Sequence, residues 1–160
     1  MKQTKLKTFA VVSACMMGML SSSAQGVMQR TANYHPDGRG FSCVNGNNRY
    51  TRALYGSVDE WRLETSDRPI FAIFKKNNHR NIRFVIKCNG QAFQLDSVEY
   101  CKARYEAGKR EYLMKDKRWG SGVLKLSVLA YPQTEGAVWK FAAENFGKAK
   151  IEIVGMICET

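Results

Sequence analysis

Histidine is scarce, with His35 and His79 the only two among 160 residues. No C-x-x-C pair accompanies them, so the usual ligand spacings of a structural zinc site are missing and no metal is expected. Histidine acid–base or nucleophile chemistry has almost no material either, and a Cys–His combination such as Cys88 with His79 rests on composition alone. His35 precedes Pro36 in a turn-rich stretch, and His79 lies in Asn77-Asn78-His79-Arg80-Asn81, which has the composition of a hairpin tip. Both are expected as surface residues.

Other signatures fail in informative ways. Gly38-Arg39-Gly40 is followed by Cys43 where a dinucleotide fingerprint needs a third glycine, and no strand precedes it nor helix follows, so it is a turn and no cofactor is expected. Around Ser121 the outer positions of a hydrolase elbow hold Trp119 and Val123 instead of glycine. No apolar run approaches the roughly twenty residues of a membrane span, and no repeat or low-complexity segment divides the chain.

What is present begins with an export signal. Lys2, Lys5 and Lys7 precede the apolar run Thr8 to Leu20, and Ser22-Ser23-Ala24 supplies small residues before Gln25. That order predicts a cleavable signal peptide over 1–24 and a periplasmic or secreted product. Val12-Ser13-Ala14-Cys15 loosely resembles a lipobox, but the apolar run continues past Cys15, which disfavours lipidation there. Cleavage removes 24 of 160 residues and three lysines, taking the formal charge from +11 to +8 over the remaining 136. That excess is either a solvated lysine surface or an attraction to an anionic partner such as an acidic polysaccharide or an envelope surface. Export excludes nucleic acid.

Cys15 leaves with the signal, and Cys43, Cys88, Cys101 and Cys158 remain as candidate disulfide cysteines. Four cysteines permit three pairings, with buried free thiols as the alternative.

Residues 25–47 are polar and turn-rich and are expected to form a lead-in loop to a single domain over 48–160. From Arg49 onward the period is two. Trp61 and Leu63 alternate with Arg62 and Glu64, as in a half-buried strand, while Ile70 to Phe74 is continuously apolar, as in a central one. Ile82, Phe84 and Ile86 lead to Asn89-Gly90, a strong hairpin signal, and so to Ala92–Leu95. Val98–Tyr105 and Arg110–Lys115 flank another turn, and strands are expected over Val123–Ala130, Ala137–Ala142 and Lys150–Cys158. About ten short strands at this spacing predict an all-β, antiparallel β-sandwich.

Glycoside hydrolysis uses two carboxyl groups facing one sugar. Of the available acids Asp59, Glu60, Glu64, Asp67, Asp96, Glu99, Glu106 and Glu111, most fall on turns or in the solvent phase of strands, and the sequence nominates no catalytic pair. Sugar-binding material is better. Trp139 is in phase with Ala137 and Phe141 and belongs to the core, whereas Trp119, in a loop after Lys115, Lys117 and Arg118, is the expected exposed aromatic.

Four segments, Asn48–Gly56 (NRYTRALYG), Arg62–Pro69 (RLETSDRP), Ala103–Gly108 (ARYEAG) and Leu126–Ala130 (LSVLA), together resemble the N-terminal part of a domain-of-unknown-function family, family 4450, over about residues 45–145. The resemblance implies a secreted, glycoside-hydrolase-like protein of six-hairpin glycosidase type, with an N-terminal β-supersandwich before a larger helical barrel that holds the catalytic acids. The present sequence stops at Thr160 without a barrel. It is therefore expected to be a non-catalytic front part, truncated before the barrel, and an incomplete sandwich. On this reading it acts in polysaccharide processing as scaffold or accessory surface, its partners being a glycan and a downstream helical-barrel domain. The alternative is a standalone periplasmic binding module for acidic glycans or envelope components.

Within Asn48–Gly56, Arg52 shares its alternation face with Tyr50 and Leu54, where a strand ordinarily places apolar residues. Glu64 or Asp67 is its expected partner if it is buried. Arg52 and Tyr55, with Trp119, are the candidate residues facing a sugar or the barrel.

Overall fold

The computed structural model describes residues 33–47, 49–55, 61–76 and 78–158. The expected signal segment 1–24 with Cys15, and the carboxylates Asp59 and Glu60, lie outside the described residues. Among the described residues twelve strands follow one another: β1 (His35–Asp37), β2 (Gly40–Val44), β3 (Tyr50–Tyr55), β4 (Trp61–Ser66), β5 (Ile70–Lys75), β6 (Asn78–Cys88), β7 (Gln91–Gln94), β8 (Tyr100–Glu106), β9 (Lys109–Lys115), β10 (Val123–Ala130), β11 (Ala137–Glu144) and β12 (Ile151–Cys158). They form two antiparallel sheets. The first runs β1-β2-β8-β9-β10-β11, and the second runs β12-β6-β5-β4-β3, with β7 also paired to β6.

The sheets face each other across an apolar core, as a sandwich requires. Phe71 of β5 lies at its centre, its ring edge-on to Phe84 at 5.9 Å, Tyr112 at 5.8 Å and Trp139 at 5.9 Å. Leu54, Leu63 and Ile86 from the second sheet meet Leu124, Leu126 and Val128 from the first, all buried. Each alternates along its strand with a polar or more exposed residue, the period-two pattern visible in the sequence. The Asn89-Gly90 turn joins β6 to β7 as expected, with φ of 50° and 80° at the two residues, the left-handed pair that a two-residue hairpin needs.

The lead-in over 25–47 is not simply the expected loop, for its described part forms the β1–β2 hairpin and extends the first sheet. Glycine is the reason it fits. A Cβ on Gly40 would stand 2.2 Å from the Tyr105 carbonyl oxygen, so only glycine lets β2 close on β8 there. Polar composition conceals this strand. His79, expected at a hairpin tip, instead lies within β6, because the turn falls between Lys75 and Asn78, which are paired.

The covering is uneven. Leu126 and Leu124 of β10 are buried, but no residue of β11 or β12 is, although Trp139, Phe141, Ile151 and Ile153 pack against the core. Each of these two strands is an edge strand of its own sheet.

Candidate functional site

Strand register on the outer face of the second sheet assembles a row that no single segment contains. Tyr55 pairs with Arg62, Arg62 with Phe74, and Phe74 with His79, so one residue from each of β3, β4, β5 and β6 stands side by side. Three inter-strand steps span about 14 Å. The Arg62 guanidinium carbon lies 4.4 Å from the centre of the Phe74 ring, and that ring stacks on His79 at 5.4 Å with 14° between planes. Arg62 Nε also donates to Glu64 Oε1 at 2.7 Å, which fixes the guanidinium over the ring. Tyr55 ends the row, 69% exposed.

Behind this row lies a second, Ala53–Glu64–Ala72–Asn81. Ala72 leaves low ground between Glu64 and Asn81. The Tyr50 hydroxyl reaches over it to donate to Asn81 Oδ1 at 2.8 Å. An aromatic and cationic ridge beside carboxylate and amide groups is chemistry suited to sugars, whose C–H faces stack on rings while hydroxyls bond to side chains.

Of the residues nominated by the sequence, Tyr55 joins this surface and the others do not. Arg52 faces the inner side. Its guanidinium lies over the rings of Tyr34 at 5.3 Å and Tyr105 at 5.7 Å, and Nη1 donates to the Thr51 carbonyl at 2.6 Å. The expected pairing with Glu64 or Asp67 is not made, because Glu64 holds Arg62 and Asp67 holds Arg110. Two tyrosine faces serve Arg52 in place of a carboxylate.

Trp119, expected to be exposed, is 5% exposed. It stacks on Phe93 at 5.8 Å, tilts against Phe146 at 5.6 Å, and donates its indole N–H to the Gly122 carbonyl at 3.0 Å. Asp116 produces this reversal by capping the short 3₁₀ turn Lys117–Trp119. It accepts from Arg118 N at 2.9 Å, Arg118 Nε at 2.7 Å and the Glu99 amide at 3.0 Å. The clamp lays Arg118 over the Phe93 ring, 3.5 Å from its centre, and turns the tryptophan inward. The Arg118 hydrogen bonds, ahead of the backbone amides, hold the Asp116 carboxyl down at about 2. A depressed carboxyl contributes stability above its unfolded pKa, and that contribution disappears as pH falls through the folded one. Asp116 should therefore supply about 2 kcal/mol at neutral pH, lost between about pH 4 and pH 2. Urea unfolding of Asp116→Asn against the parent at pH 7 and pH 2.5 checks this, and the gap between the two proteins should shrink at the lower pH.

All four candidate disulfide cysteines are free thiols. Cys43, Cys88 and Cys101 are buried as small apolar residues, and Cys158 is partly covered. Cys88 is opposite Ile151 and Cys158 opposite Asn81, so about 23 Å of strand separates those two. Burial pushes the Cys101 thiol up to about 12, which keeps it protonated and unreactive.

A buried polar cluster surrounds Arg110, a residue that sequence reasoning did not single out and that is fully enclosed. Its Nη2 donates to the Ser66 carbonyl at 2.9 Å and the Tyr34 hydroxyl oxygen at 2.6 Å, and lies 3.5 Å from Asp67 Oδ1. The same Asp67 oxygen accepts from the hydroxyls of Thr51, at 2.7 Å, and Tyr34. Tyr112 donates to Ser66 O at 2.8 Å, and desolvation pushes its phenol well above the ordinary range. Arg110 does occupy the core phase of β9, with Tyr112 and Met114, and that phase is the signal by which it could have been found.

Two further carboxylates meet at Arg104. Glu106 and Glu111 share Arg104 Nη1 at 2.6 and 3.1 Å, and the Arg104 hydrogen bond lowers Glu106, the opposite of what a proton-donating acid requires.

Residues 78–156 match the family described as Domain of unknown function (DUF4450). The DUF4450 match runs from the first residue of β6 into β12, so it takes in His79 of the outer row, the whole of β8 to β11, and two of the four segments that suggested the family, Ala103–Gly108 and Leu126–Ala130. Tyr55, Arg62 and Phe74 stand on strands before it. No curated protein and no solved structure matches the chain.

Proposed function

We propose that this protein is an exported, non-catalytic β-sandwich of a glycoside-hydrolase-like protein, acting in polysaccharide processing as a scaffold and accessory surface. The observation that carries the reading is the Tyr55–Arg62–Phe74–His79 row, a ridge long enough for an extended oligosaccharide. The DUF4450 match agrees with it at the level of family. The scaffold role draws support from the neighbouring pair Leu129 and Val138 and from Ile157, large apolar side chains left exposed on β10, β11 and β12 where a helical-barrel domain has surface to cover.

The test is retardation of the purified protein in native gels containing soluble polysaccharides. Tyr55→Ala should abolish the retardation of any polysaccharide that slows the parent, a loss of about 2 kcal/mol or more in binding, while leaving the unfolding midpoint unchanged because the side chain is exposed. Phe41→Ala, which removes another exposed ring on the first sheet, should bind like the parent. Retardation that survives Tyr55→Ala would remove the row from the function.

A further inference from the structure

The outer face of the first sheet carries a different surface. There Lys102 of β8, Leu113 of β9 and Lys125 of β10 are in register, and the adjacent row is Arg104, Glu111 and Ser127. Together they line a concavity of about 230 Å³. Leu113 forms an apolar floor flanked by a lysine on each side, with their Cα atoms about 10 Å apart.

The charges divide into a fixed wall and one movable arm. Arg104 is held by Glu106, Glu111 and the Asp37 carbonyl, at 2.6, 3.1 and 3.2 Å, and Glu111 is also held by Lys109 at 3.0 Å. Lys102 and Lys125 instead pair with acids outside the concavity, Asp37 Oδ2 at 2.9 Å and Glu144 Oε1 at 2.7 Å respectively. The Lys125–Glu144 pair is exposed on both sides and contributes little to stability, so Lys125 can leave its acid for a better-placed anion at small cost, whereas the Asp37 oxygen that Lys102 holds is buried, which keeps that lysine in place.

We propose that this concavity binds an acidic pyranose, a sugar ring bearing a carboxylate. The ring's C–H face rests on Leu113, Lys125 swings inward to the carboxylate, and Glu111 and Ser127 bond to ring hydroxyls. Glu111 on the wall disfavours a bare anion and favours one that also brings hydroxyl donors. The site lies on the opposite sheet from the Tyr55 row and does not rest on the reading of that row.

Calorimetric titration with trigalacturonate, its fully methyl-esterified form and inorganic sulfate tests the proposal. Trigalacturonate should bind, more weakly as salt rises, and the ester and sulfate should bind at least tenfold more weakly. Lys125→Ala should lower trigalacturonate affinity about tenfold. Glu144→Gln frees Lys125 and should raise it. Glu135→Gln makes the same change in net charge beside Lys75, 2.7 Å away on another part of the surface, and should raise it less. Equal binding of acid and ester, sulfate binding as tightly as the sugar, equal effects of Glu144→Gln and Glu135→Gln, or no binding of trigalacturonate at millimolar concentration would each overturn the proposal. Circular dichroism of Lys125→Ala, altered at an exposed side chain, confirms that any loss is one of binding.

Discussion

Asp67→Ala is expected to cost about 3–5 kcal/mol of folding stability, because it leaves the enclosed guanidinium of Arg110 without its only anionic neighbour among the described residues. Arg110 is already short of partners, since Nε and Nη1 are buried and make no hydrogen bond among the described residues. The substitution also removes the acceptor for the Thr51 and Tyr34 hydroxyls. A loss of this size is a large share of the roughly 5–15 kcal/mol that holds most domains together. Arg110→Met should cost distinctly less, because Asp67 keeps two hydroxyl donors and a methionine fills part of the volume. The double variant Asp67→Leu with Arg110→Met should recover much of the loss of Asp67→Ala, since an apolar pair carries no desolvation penalty. Urea denaturation at pH 7 measures all three. A cost below about 1 kcal/mol for Asp67→Ala would show that water reaches the guanidinium and that the pair is not truly buried.

The second large effect is expected at the centre of the core. Phe71→Ala should destabilise by about 3–5 kcal/mol, the transfer of a whole ring plus the cavity it leaves. The cavity cannot close easily. Phe84, Tyr112 and Trp139 approach Phe71 edge-on from both sheets, and moving any of them inward would separate it from its other neighbours. Phe41→Ala, at a ring nearly half exposed, should change stability by no more than about 0.5 kcal/mol. Denaturant midpoints for the two variants make the comparison, and similar values would mean that the sandwich interior relaxes freely around a missing ring.

The alternation of Trp61, Leu63 and Thr65, of Ile82, Phe84 and Ile86, and of Leu124, Leu126 and Val128 is enough to place these residues inward, because burying one face of a strand is a local rule of period two. Asn89-Gly90 specifies a hairpin for an equally local reason, the backbone angles that only a few residues accept. The all-β sandwich follows from such signals added along the chain. The β1–β2 hairpin does not follow, since its strands are too short and polar to show alternation, and its place is set by Gly40 meeting a carbonyl 65 residues away in sequence.

Sites depend on which strands become neighbours, and composition does not carry that information. Tyr55 is legible as an exposed aromatic, but its partners Arg62, Phe74 and His79 come from three other strands and align only through register. The cations near Trp119 suggest solvent, whereas Asp116 clamps Arg118 and turns the ring inward. Arg52 is anomalous from its phase alone, yet the rings of Tyr34 and Tyr105 that receive it lie on other segments. Sequence by itself determined what each strand buries and where most turns fall, since those are decided within a few residues. Tertiary structure alone decided which charges pair, which rings meet, and where the outer faces gather their chemistry, because each depends on contacts between residues remote in the chain.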